Sequence, residues 1–460
     1  SAKGAPEAIM DLCHLSPAAR QHWLACVADM AAQGLRVLAV AHSRFDGQSY
    51  PDSPHDFDFV WLGLIGLTDP LRPEIPQAVA DCQSAGIQVI VITGDFPATA
   101  QEIARQAGLP DGETLTGEAL EGLDAVALGE RLRQVTVCAR ISPHQKLRIV
   151  QALQAQGHVV AMTGDGVNDA PALKAAHVGI AMGARGTDVA REAADLVLVD
   201  DNFASIVRGI RLGRRIFGNL QKSMQYIFAI HIPIAGMALV PMLMGWPPLM
   251  LPLHVALLEL VIDPTCAIAF EQEPADPDVM QRPPRDPRTA LFSARQITWA
   301  AGQGLCVLVC VGLSIGMTPA LGAWLAQGPH DASWLIQGPP WTEEHLRSMA
   351  FVTLITGHGV LVFSSRSFTR LFRPVGTRAL RDANTAQGGR LWPLANPTAP
   401  VFVGLAMGLL ALAIHWPWLA EPMQWAPLSP MAWGMALFWG ILSWPLMLAL
   451  AKCQQAFSRA

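Results

Sequence analysis

The sequence is poor in charged residues. Asp, Glu, Lys and Arg make up only 15% of its 460 residues, and 51% of the residues are hydrophobic. A soluble domain usually has about a quarter charged residues. The deficit excludes a disordered chain and argues against a wholly soluble one. The formal net charge of −5 offers no basic field, so nucleic acid is not an expected partner.

Cysteine patterns that hold disulfides or metals are also missing. The eight cysteines form no Cys-x-x-Cys pair and no dense framework. We therefore expect free thiols, in a reducing compartment or buried in lipid. The chain starts with Ser1, and no leader-like basic and apolar segments follow. We expect it to be the C-terminal piece of something longer.

Residues 1–215 alternate short apolar runs with polar, helix-like segments. Most runs are β-branched and bounded by Gly or polar residues, which is typical of a parallel α/β sheet. These runs are residues 89–92, 135–139, 159–163, 178–182 and 196–199. The first 65 residues look different, with an amphipathic segment at 18–33 and strand-like runs at 37–41 and 60–67. They predict the tail of a separate small domain.

Long apolar stretches dominate from about residue 223. We count six, at 224–244, 249–270, 297–317, 349–365, 398–416 and 430–451. A bilayer core needs about 20 residues of helix, so the 17-residue fourth stretch is marginal. Helices buried in a soluble core are the alternative, but the charges in the linkers favour a membrane.

Positive charge lies on alternate sides of these stretches. The linker after the second has Arg282, Arg285, Arg288 and Arg295, and the linker after the fourth has Arg366, Arg370, Arg373, Arg378, Arg381 and Arg390. Residues 245–248, 326–345 and 417–429 have no Lys or Arg. Positive loops mark the cytoplasmic side. We expect a multi-pass protein, in the plasma (inner) membrane, with its soluble part in the cytoplasm.

Two apolar runs end in the same tripeptide, Thr-Gly-Asp. The first is Thr93-Gly94-Asp95, and the second begins at Thr163 and continues through Asp165, Asn168 and Asp169. Ligands of open α/β sheets sit beyond the carboxyl ends of the strands. Glycine permits close backbone approach, and Thr hydroxyls and backbone N–H groups hold phosphate. Asp165 and Asp169 are carboxylates suited to Mg²⁺. One such tripeptide alone is more often a plain strand–turn–helix.

Two carboxylates lie within the second apolar stretch. Glu259 and Asp263 are four residues apart, so a helix places them on one face. Pro264 weakens the helix there and frees carbonyl groups. Such a site suits a hard cation, although an interhelical hydrogen-bonded pair is the alternative. His231, in the first stretch, is either a third ligand or a hydrogen-bonding core residue.

The string 163–176, Thr-Gly-Asp-Gly-Val-Asn-Asp-Ala-Pro-Ala-Leu-Lys-Ala-Ala, resembles the hinge signature of the P-type cation-transporting ATPases. Further segments are similar to that family. Asp69-Pro-Leu-Arg72-Pro resembles its interdomain hinge, Lys3-Gly-Ala-Pro-Glu7 its nucleotide-pocket lysine motif, and residues 139–146 the segment that supplies a phosphate-contacting lysine.

The resemblance implies ATP and Mg²⁺ as cofactors and a role for each matching residue. Lys3, Arg36 and Arg140 would contact the nucleotide. The catalytic set would be Thr93, Gly94, Asp95, Lys146, Asp165, Asn168 and Asp169, with Asp165 and Asp169 on Mg²⁺. Glu259, Asp263 and His231 would bind the transported cation. Phosphoryl transfer needs mainly positioning and charge neutralisation, which such a set provides.

The implied fold is a haloacid-dehalogenase-like α/β phosphorylation domain with a parallel sheet, followed by an all-α bundle of six transmembrane helices. We expect residues 1–66 to be the tail of the nucleotide-binding domain. Residues 67–222 would be the phosphorylation domain and stalk, and residues 223–460 the transmembrane domain.

One family element does not occur in this sequence. The phosphorylated Asp lies in Asp-Lys-Thr-Gly-Thr, a string that these 460 residues lack. Our leading hypothesis is the C-terminal part of an ATP-driven cation pump, with Ca²⁺ export favoured and the N-terminal remainder of the pump as a partner. The alternative is a non-catalytic or regulatory membrane module that binds nucleotide or ion without turnover. A membrane-tethered phosphatase is weaker, because it also needs the missing Asp.

The second apolar stretch and the segment after it resemble the calcium and sodium pump branch. That branch has an acidic residue in the preceding helix, where this chain has His231 and Ile234. Glu259 would be the compensating carboxylate. The heavy-metal branch has fewer C-terminal helices, so six stretches argue against it.

Overall fold

The structure is a computed structural model that describes residues 1–45, 52–68, 70–262, 268–288, 291–326, 341–371 and 398–457. The chain divides into two compact units. The first comprises Ser1–Arg211 with Met280–Pro284, and the second comprises Leu212–Val279 with Arg285–Ala460. This division leaves the expected boundaries at residues 66 and 222 as predictions.

The first unit begins with a small antiparallel sheet in the order β1-β2-β3. Its strands are β1 (Ala2–Gly4), β2 (Arg36–His42) and β3 (Val60–Leu67), and its helices are α1 (Pro6–Leu12) and α2 (Pro17–Ala32), with a 3-10 turn at Pro54–Asp56. The Ser16 hydroxyl caps α2 by accepting a hydrogen bond from the Ala19 N–H at 3.3 Å. Ile9, Ala39 and Ala41 form the core between α1 and the sheet.

Two parallel three-stranded sheets follow, in the orders β4-β6-β5 and β7-β8-β9. The strands are β4 (Val91–Ile92), β5 (Glu113–Thr116), β6 (Val135–Ala139), β7 (Ala161–Gly164), β8 (Val178–Met182) and β9 (Leu196–Leu198). The helices are α3 (Ile75–Ser84), α4 (Pro97–Gln106), α5 (Gly117–Glu121), α6 (Ala125–Leu132), α7 (Pro143–Ala155), α8 (Ala170–Ala175) and α9 (Asp188–Ala193), with a 3-10 turn at Val167–Asp169. Strands alternating with helices confirm the expected parallel α/β architecture.

The apolar pattern located β6 and β8 with their full bounds, because both are short buried runs with polar or glycine-containing flanks. It missed β5, which has the sequence Glu-Thr-Leu-Thr and a single buried apolar side chain, Leu115. A polar edge strand of this length has no apolar periodicity to detect. The seven cysteines in the described part form no disulfide bond with one another, and Cys266 lies outside that part.

The second unit is helical. After the long helix α10 (Phe203–Met244), it contains α11 (Pro252–Leu257), a π-helical turn (Leu258–Ile262), α12 (Ala294–Ala326), α13 (Glu343–Leu371), α14 (Thr398–His415), α15 (Pro417–Ala420) and α16 (Pro430–Phe457). A large cluster of apolar side chains in the described part of this unit includes Tyr226, Phe270 and Phe351.

Five helices in the described ranges are long and apolar enough to cross a membrane. They are Phe203–Met244, Ala294–Pro319, Glu343–Ser365, Thr398–His415 and Pro430–Gln454. The predicted span at 249–270 is not among them, because it consists of α11 and the π-helical turn and then continues into residues 263–267, outside the described part. The count of six spans therefore stays a prediction.

The span Glu343–Ser365 is the most enclosed of the five, with 83% of its most apolar window buried inside the protein. It packs closely against α16. The Thr353 hydroxyl lies 3.3 Å from the Ala436 carbonyl oxygen. A Cβ at Gly440 would come within 2.4 Å of the Thr356 side chain, so the two helices approach closely where glycine has no side chain.

Candidate functional site

The loop after β7 surrounds a nearly buried ion pair. The Lys146 Nζ, in the first turn of α7, lies 2.6 Å from the Asp169 Oδ1, and the two side chains are 17% and 9% exposed. The other oxygen, Oδ2, accepts hydrogen bonds from the backbone N–H groups of Asp165 (3.3 Å) and Gly166 (3.2 Å). Asp169 therefore fixes both the lysine and the loop.

A capping box places Lys146 in this position. The Ser142 hydroxyl accepts from the Gln145 N–H, and the Gln145 side chain accepts from the Ser142 N–H at 2.9 Å. Gln145 is buried, and its amide also donates to the Gly117 carbonyl oxygen at 2.9 Å. These bonds fix where α7 begins, and so fix the lysine in its first turn.

Gly164 is the position in this loop where the backbone approaches the Asp169 side chain most closely. A Cβ there would lie 2.5 Å from the Asp169 Cβ and 2.9 Å from its Oδ2. Any other residue would push Asp169 away from Lys146. Gly94, in the matching position after β4, faces open space instead, with no atom within 4 Å of a Cβ built there. The backbone of Gly94 is thus open to a ligand.

Two hydrogen bonds between Thr93 and Asp95 hold this segment in a local turn. The Thr93 hydroxyl donates to the Asp95 carboxylate at 3.1 Å and accepts from the Asp95 N–H at 3.1 Å. The other carboxylate oxygen, Oδ1, lies 3.5 Å from the Arg36 Nε, at the start of β2. The Arg36 side chain is 64% exposed, which leaves its guanidinium accessible to an anionic ligand.

Hydrophobic packing brings the ends of β4 and β7 towards each other. Ile92, immediately before Thr93, packs against the apolar cluster that contains Met162, immediately before Thr163. Both Thr-Gly-Asp segments therefore begin next to the same apolar cluster. That both segments face one ligand site at the carboxyl ends of the strands stays a prediction.

Arg140 follows β6 with φ of 58°, in the left-handed region that residues other than glycine rarely adopt. Its N–H donates to the Asp95 carbonyl oxygen at 3.2 Å. Its guanidinium donates to the Glu7 Oε1 at 2.7 Å and lies 5.6 Å from the centre of the Phe96 ring. Lys3 is exposed on β1, where it pairs with Val40 of β2.

The site offers one carboxylate, that of Asp165, that is available to bind Mg²⁺. Asp165 is exposed, and within the described ranges its carboxylate has no hydrogen-bond or ion-pair partner. Both oxygens of Asp169 are engaged, so the geometry favours a positioning role for Asp169 over direct metal binding. Asn168 is exposed between them in the 3-10 turn. One carboxylate is enough for Mg²⁺ when phosphate oxygens and water complete its shell.

No cluster of three or more His, Cys, Asp or Glu side chains suited to a metal occurs in the part of the chain that the structure describes. In the second unit, however, two of the three predicted cation ligands lie together. The His231 Nε2 is 3.4 Å from the Glu259 Oε1, with both side chains 51% exposed. Asp263, the third, lies outside the described residues.

Sequence reasoning gave no role to Asp201, which lies just before α10. Its carboxylate accepts from the N–H groups of Ala184 (3.0 Å) and Arg185 (2.9 Å), and its carbonyl oxygen accepts from the Arg72 guanidinium. Burial acts to raise the pKa of Asp201, but these N–H groups, that of Gly183 and the charge of Arg72 together lower it. Asp201 therefore ties the loop after β8 to the Arg72 segment. Asp69, in the same hinge motif as Arg72, lies outside the described residues.

Two families match this chain over separate ranges. Residues 247–452 match the family described as cation transporting ATPase, C-terminus, and residues 22–177 match the haloacid dehalogenase-like hydrolases. The first range covers most of the helical unit and the second covers the Lys146–Asp169 site.

Individual relatives are similar over most of this chain. It is 38% identical over 346 residues to a calcium-transporting ATPase of Bacillus subtilis, a match that covers 75% of this chain and 37% of the relative. It is 35% identical over 371 residues to calcium-transporting ATPase 1 of Bacillus cereus, covering 79% and 41%. The probable cation-transporting ATPase F of Mycobacterium tuberculosis is 41% identical over 313 residues, covering 64% and 34%.

The chain thus spans about two fifths of the length of these relatives. The matched ranges include both the strand-end site with Lys146 and the helical segment with Glu259. From these matches and the intact hinge signature, the chain resembles the C-terminal part of the P-type cation-transporting ATPases.

Proposed function

We propose that this chain works as the C-terminal part of an ATP-driven pump that couples the formation and hydrolysis of an aspartyl phosphate to cation transport across a membrane. The N-terminal remainder of the pump would supply the phosphorylated Asp. The proposal depends above all on one observation, the Lys146–Asp169 pair held 2.6 Å apart beside the Thr-Gly-Asp loop.

Lys146 supplies a positive charge that is already fixed before the phosphoryl group arrives. Because Asp169 and the capping box hold it, no reorganisation is needed when charge develops on the transferred group. The open backbone at Gly94 and the oriented Thr93 hydroxyl face the same ligand site. Asp165 would hold Mg²⁺, which, when bound, neutralises charge on the transferred phosphoryl group.

The nucleotide would be bound by Arg36, Arg140 and Lys3. Arg36 is largely exposed next to Asp95, so its guanidinium can pair with nucleotide phosphates. Arg140 is tied to Glu7 and Phe96, and Lys3 is exposed on the neighbouring sheet. These three side chains belong to the same compact unit as the Lys146 site.

Transport would use the membrane part of the chain. Glu259 lies in a π-helical turn, a local distortion that often marks functional sites and leaves backbone carbonyls available. Together with His231 and Asp263, it would bind the transported cation in the bilayer. Ca²⁺ is the first cation to test, because relatives from Bacillus are named calcium-transporting ATPases.

We place the protein in the plasma membrane with its soluble unit in the cytoplasm. The Arg-rich linkers after the second and fourth predicted spans support this orientation by the positive-inside rule.

Phosphorylation from labelled ATP tests the proposal. The complete pump, comprising this chain with its N-terminal part, should form an acid-stable, hydroxylamine-sensitive phosphoenzyme. Asp165→Asn should abolish ATP turnover and leave thermal unfolding unchanged, since Asp165 is exposed. Asp29→Asn, an exposed aspartate on α2, is the matched control and should behave as wild type.

The alternative, a non-catalytic or regulatory module, is favoured by the lack of Asp-Lys-Thr-Gly-Thr in these 460 residues. It predicts nucleotide or cation binding without any phosphoenzyme, even when the N-terminal part is present. Near-normal turnover in Asp165→Asn would contradict the Mg²⁺ role instead. The two results are therefore distinguishable.

A further inference from the structure

A buried histidine lies at the start of the helical segment that carries Glu259. His254 is the third residue of α11, and no part of it is exposed. Its Nδ1 accepts a hydrogen bond from the Leu251 N–H at 3.1 Å, and its Nε2 lies 2.8 Å from the Met423 carbonyl oxygen. A backbone N–H only donates and a carbonyl oxygen only accepts, so the two partners together place the ring proton on Nε2. The imidazole therefore joins the start of α11 to the loop between α15 and α16.

Ring packing fixes the orientation of the same imidazole. It stacks on the Trp425 ring, with the ring centres 5.0 Å apart and the planes 8° apart. The Phe351 ring of α13 lies against it, with a centre-to-centre distance of 5.1 Å. Both aromatic residues are buried. Because water does not reach this ring, it cannot replace either of the two hydrogen bonds if the imidazole is removed.

A second side chain joins the same two segments. Arg347 of α13 donates from Nε to the Pro248 carbonyl oxygen, just before α11, and from Nη1 to the Gln424 carbonyl oxygen, at 2.9 and 3.3 Å. Its side chain is only 4% exposed. The neighbouring Ser348 hydroxyl accepts from the Ala426 N–H at 3.0 Å. The loop between α15 and α16 is therefore itself anchored to α13, so it forms a fixed support for the start of α11.

The helical backbone runs from this support to Glu259 without a break. Helix α11 ends at Leu257, and the π-helical turn that contains Glu259 begins at the next residue. Glu259 is five residues after His254, which corresponds to a rise of about 7.5 Å at α-helical geometry. A rotation or shift of the start of α11 would therefore move the Glu259 carboxylate as well.

We propose that His254 is a positioning residue of the cation site, and that its two hydrogen bonds set the rotation of α11 that presents Glu259 to the transported cation. The inference rests on the proposed function, in which Glu259 is a cation ligand. Loss of a positioning residue weakens cation binding, whereas turnover at saturating cation is retained because the phosphoryl-transfer site is untouched.

Two substitutions separate the hydrogen bonds of His254 from its packing. His254→Gln offers an oxygen to the Leu251 N–H and an amide N–H to the Met423 carbonyl, but no ring to stack on Trp425. His254→Phe keeps a ring and loses both bonds. ATP hydrolysis by the complete pump is titrated with Ca²⁺, Na⁺, K⁺ and Mn²⁺, each alone. For the activating ion, His254→Phe should raise the half-activating concentration about 10-fold, the lower end of the range for lost outer-shell support of a metal ligand. Its maximal turnover should be retained, and His254→Gln should stay close to wild type.

His415→Phe is the matched control. His415 is exposed at the end of α14, where it accepts a hydrogen bond from the Trp433 ring N–H at 3.2 Å, so its replacement should leave cation activation unchanged. Arg347→Lys keeps the charge and removes the paired donation to Pro248 and Gln424. It should raise the half-activating concentration too, and it provides the test if His254→Phe does not fold.

Three results would overturn the positioning role. They are an unchanged half-activating concentration in folded His254→Phe or in Arg347→Lys, a loss of maximal turnover at unchanged cation affinity, and a larger loss of affinity in His254→Gln than in His254→Phe. A wild-type complete pump that none of these ions activates would instead overturn the proposed function.

Discussion

Lys146 and Asp169 form an ion pair with an Nζ–Oδ1 distance of 2.6 Å, and both side chains are almost fully shielded from water. Removal of one partner from such a pair strands a buried charge, which costs about 3–5 kcal/mol. Neutralising both partners avoids that cost. The pair thus offers a way to separate stability from catalysis.

Lys146→Met should lower the thermal stability of the complete pump, and Lys146→Met with Asp169→Asn should recover at least half of the loss. Both variants should fail to form phosphoenzyme, because each lacks the lysine charge. Thermal unfolding and phosphorylation from labelled ATP measure the two effects. Arg105→Met removes a surface ion pair and should change neither. Full phosphorylation in the double variant would exclude the proposed role of Lys146.

The two glycines of the Thr-Gly-Asp segments should respond differently to alanine. Gly164→Ala forces a Cβ into Asp169, so we expect a lower unfolding temperature and no activity. Gly94→Ala has space for its Cβ, so we expect normal unfolding with strongly reduced phosphorylation. Gly122→Ala, where the added Cβ also meets no atom, is the control for a harmless substitution. If Gly94→Ala is fully active, the phosphoryl group does not approach that backbone.

Asp201 should make stability depend on pH in the acidic range. Its folded pKa lies below the ordinary value of 3.8, so ionised Asp201 stabilises the fold at neutral pH. This contribution is lost as the pH falls through 3.8 towards the folded pKa. Asp201→Asn should therefore unfold at a lower temperature than wild type at pH 7, with a smaller difference below pH 3.8. Thermal unfolding across pH, with Asp29→Asn as the control, checks the result.

Glu259→Gln should abolish the cation dependence of ATP hydrolysis. It keeps the size of the side chain and removes the charge that the cation needs. Cation-stimulated turnover of the complete pump is the measurement. Glu271→Gln, an exposed glutamate near the end of the same predicted span, should leave turnover unchanged. Unaltered cation dependence in Glu259→Gln would place the transport site elsewhere.

Local patterns predicted the strands with strong apolar character, and motif spacing predicted the segments that carry the site. The partner of Lys146 was not predictable in this way. Asp169 has the residue type of a Mg²⁺ ligand, and only tertiary packing reveals that its oxygens are used by Lys146 and the loop. Asp201 was missed for the same reason, since its partners belong to the loop after β8.

The proposed membrane site shows the opposite case. Polar residues in apolar stretches are costly, so their presence indicated His231 and Glu259 from sequence alone. The structure adds the direction of the imidazole ring, which depends on the Ile227 carbonyl and on no sequence motif.

The enclosed span Glu343–Ser365 has a consequence for biogenesis. Its mean hydropathy of 1.5 is the lowest of the five candidate spans, and its Thr353 hydroxyl is covered by α16, a helix that is synthesised later. During translation this span therefore enters the bilayer before its protein neighbour exists. Late C-terminal truncations should leave an uncovered polar helix, and such chains should be recognised and degraded by membrane quality control.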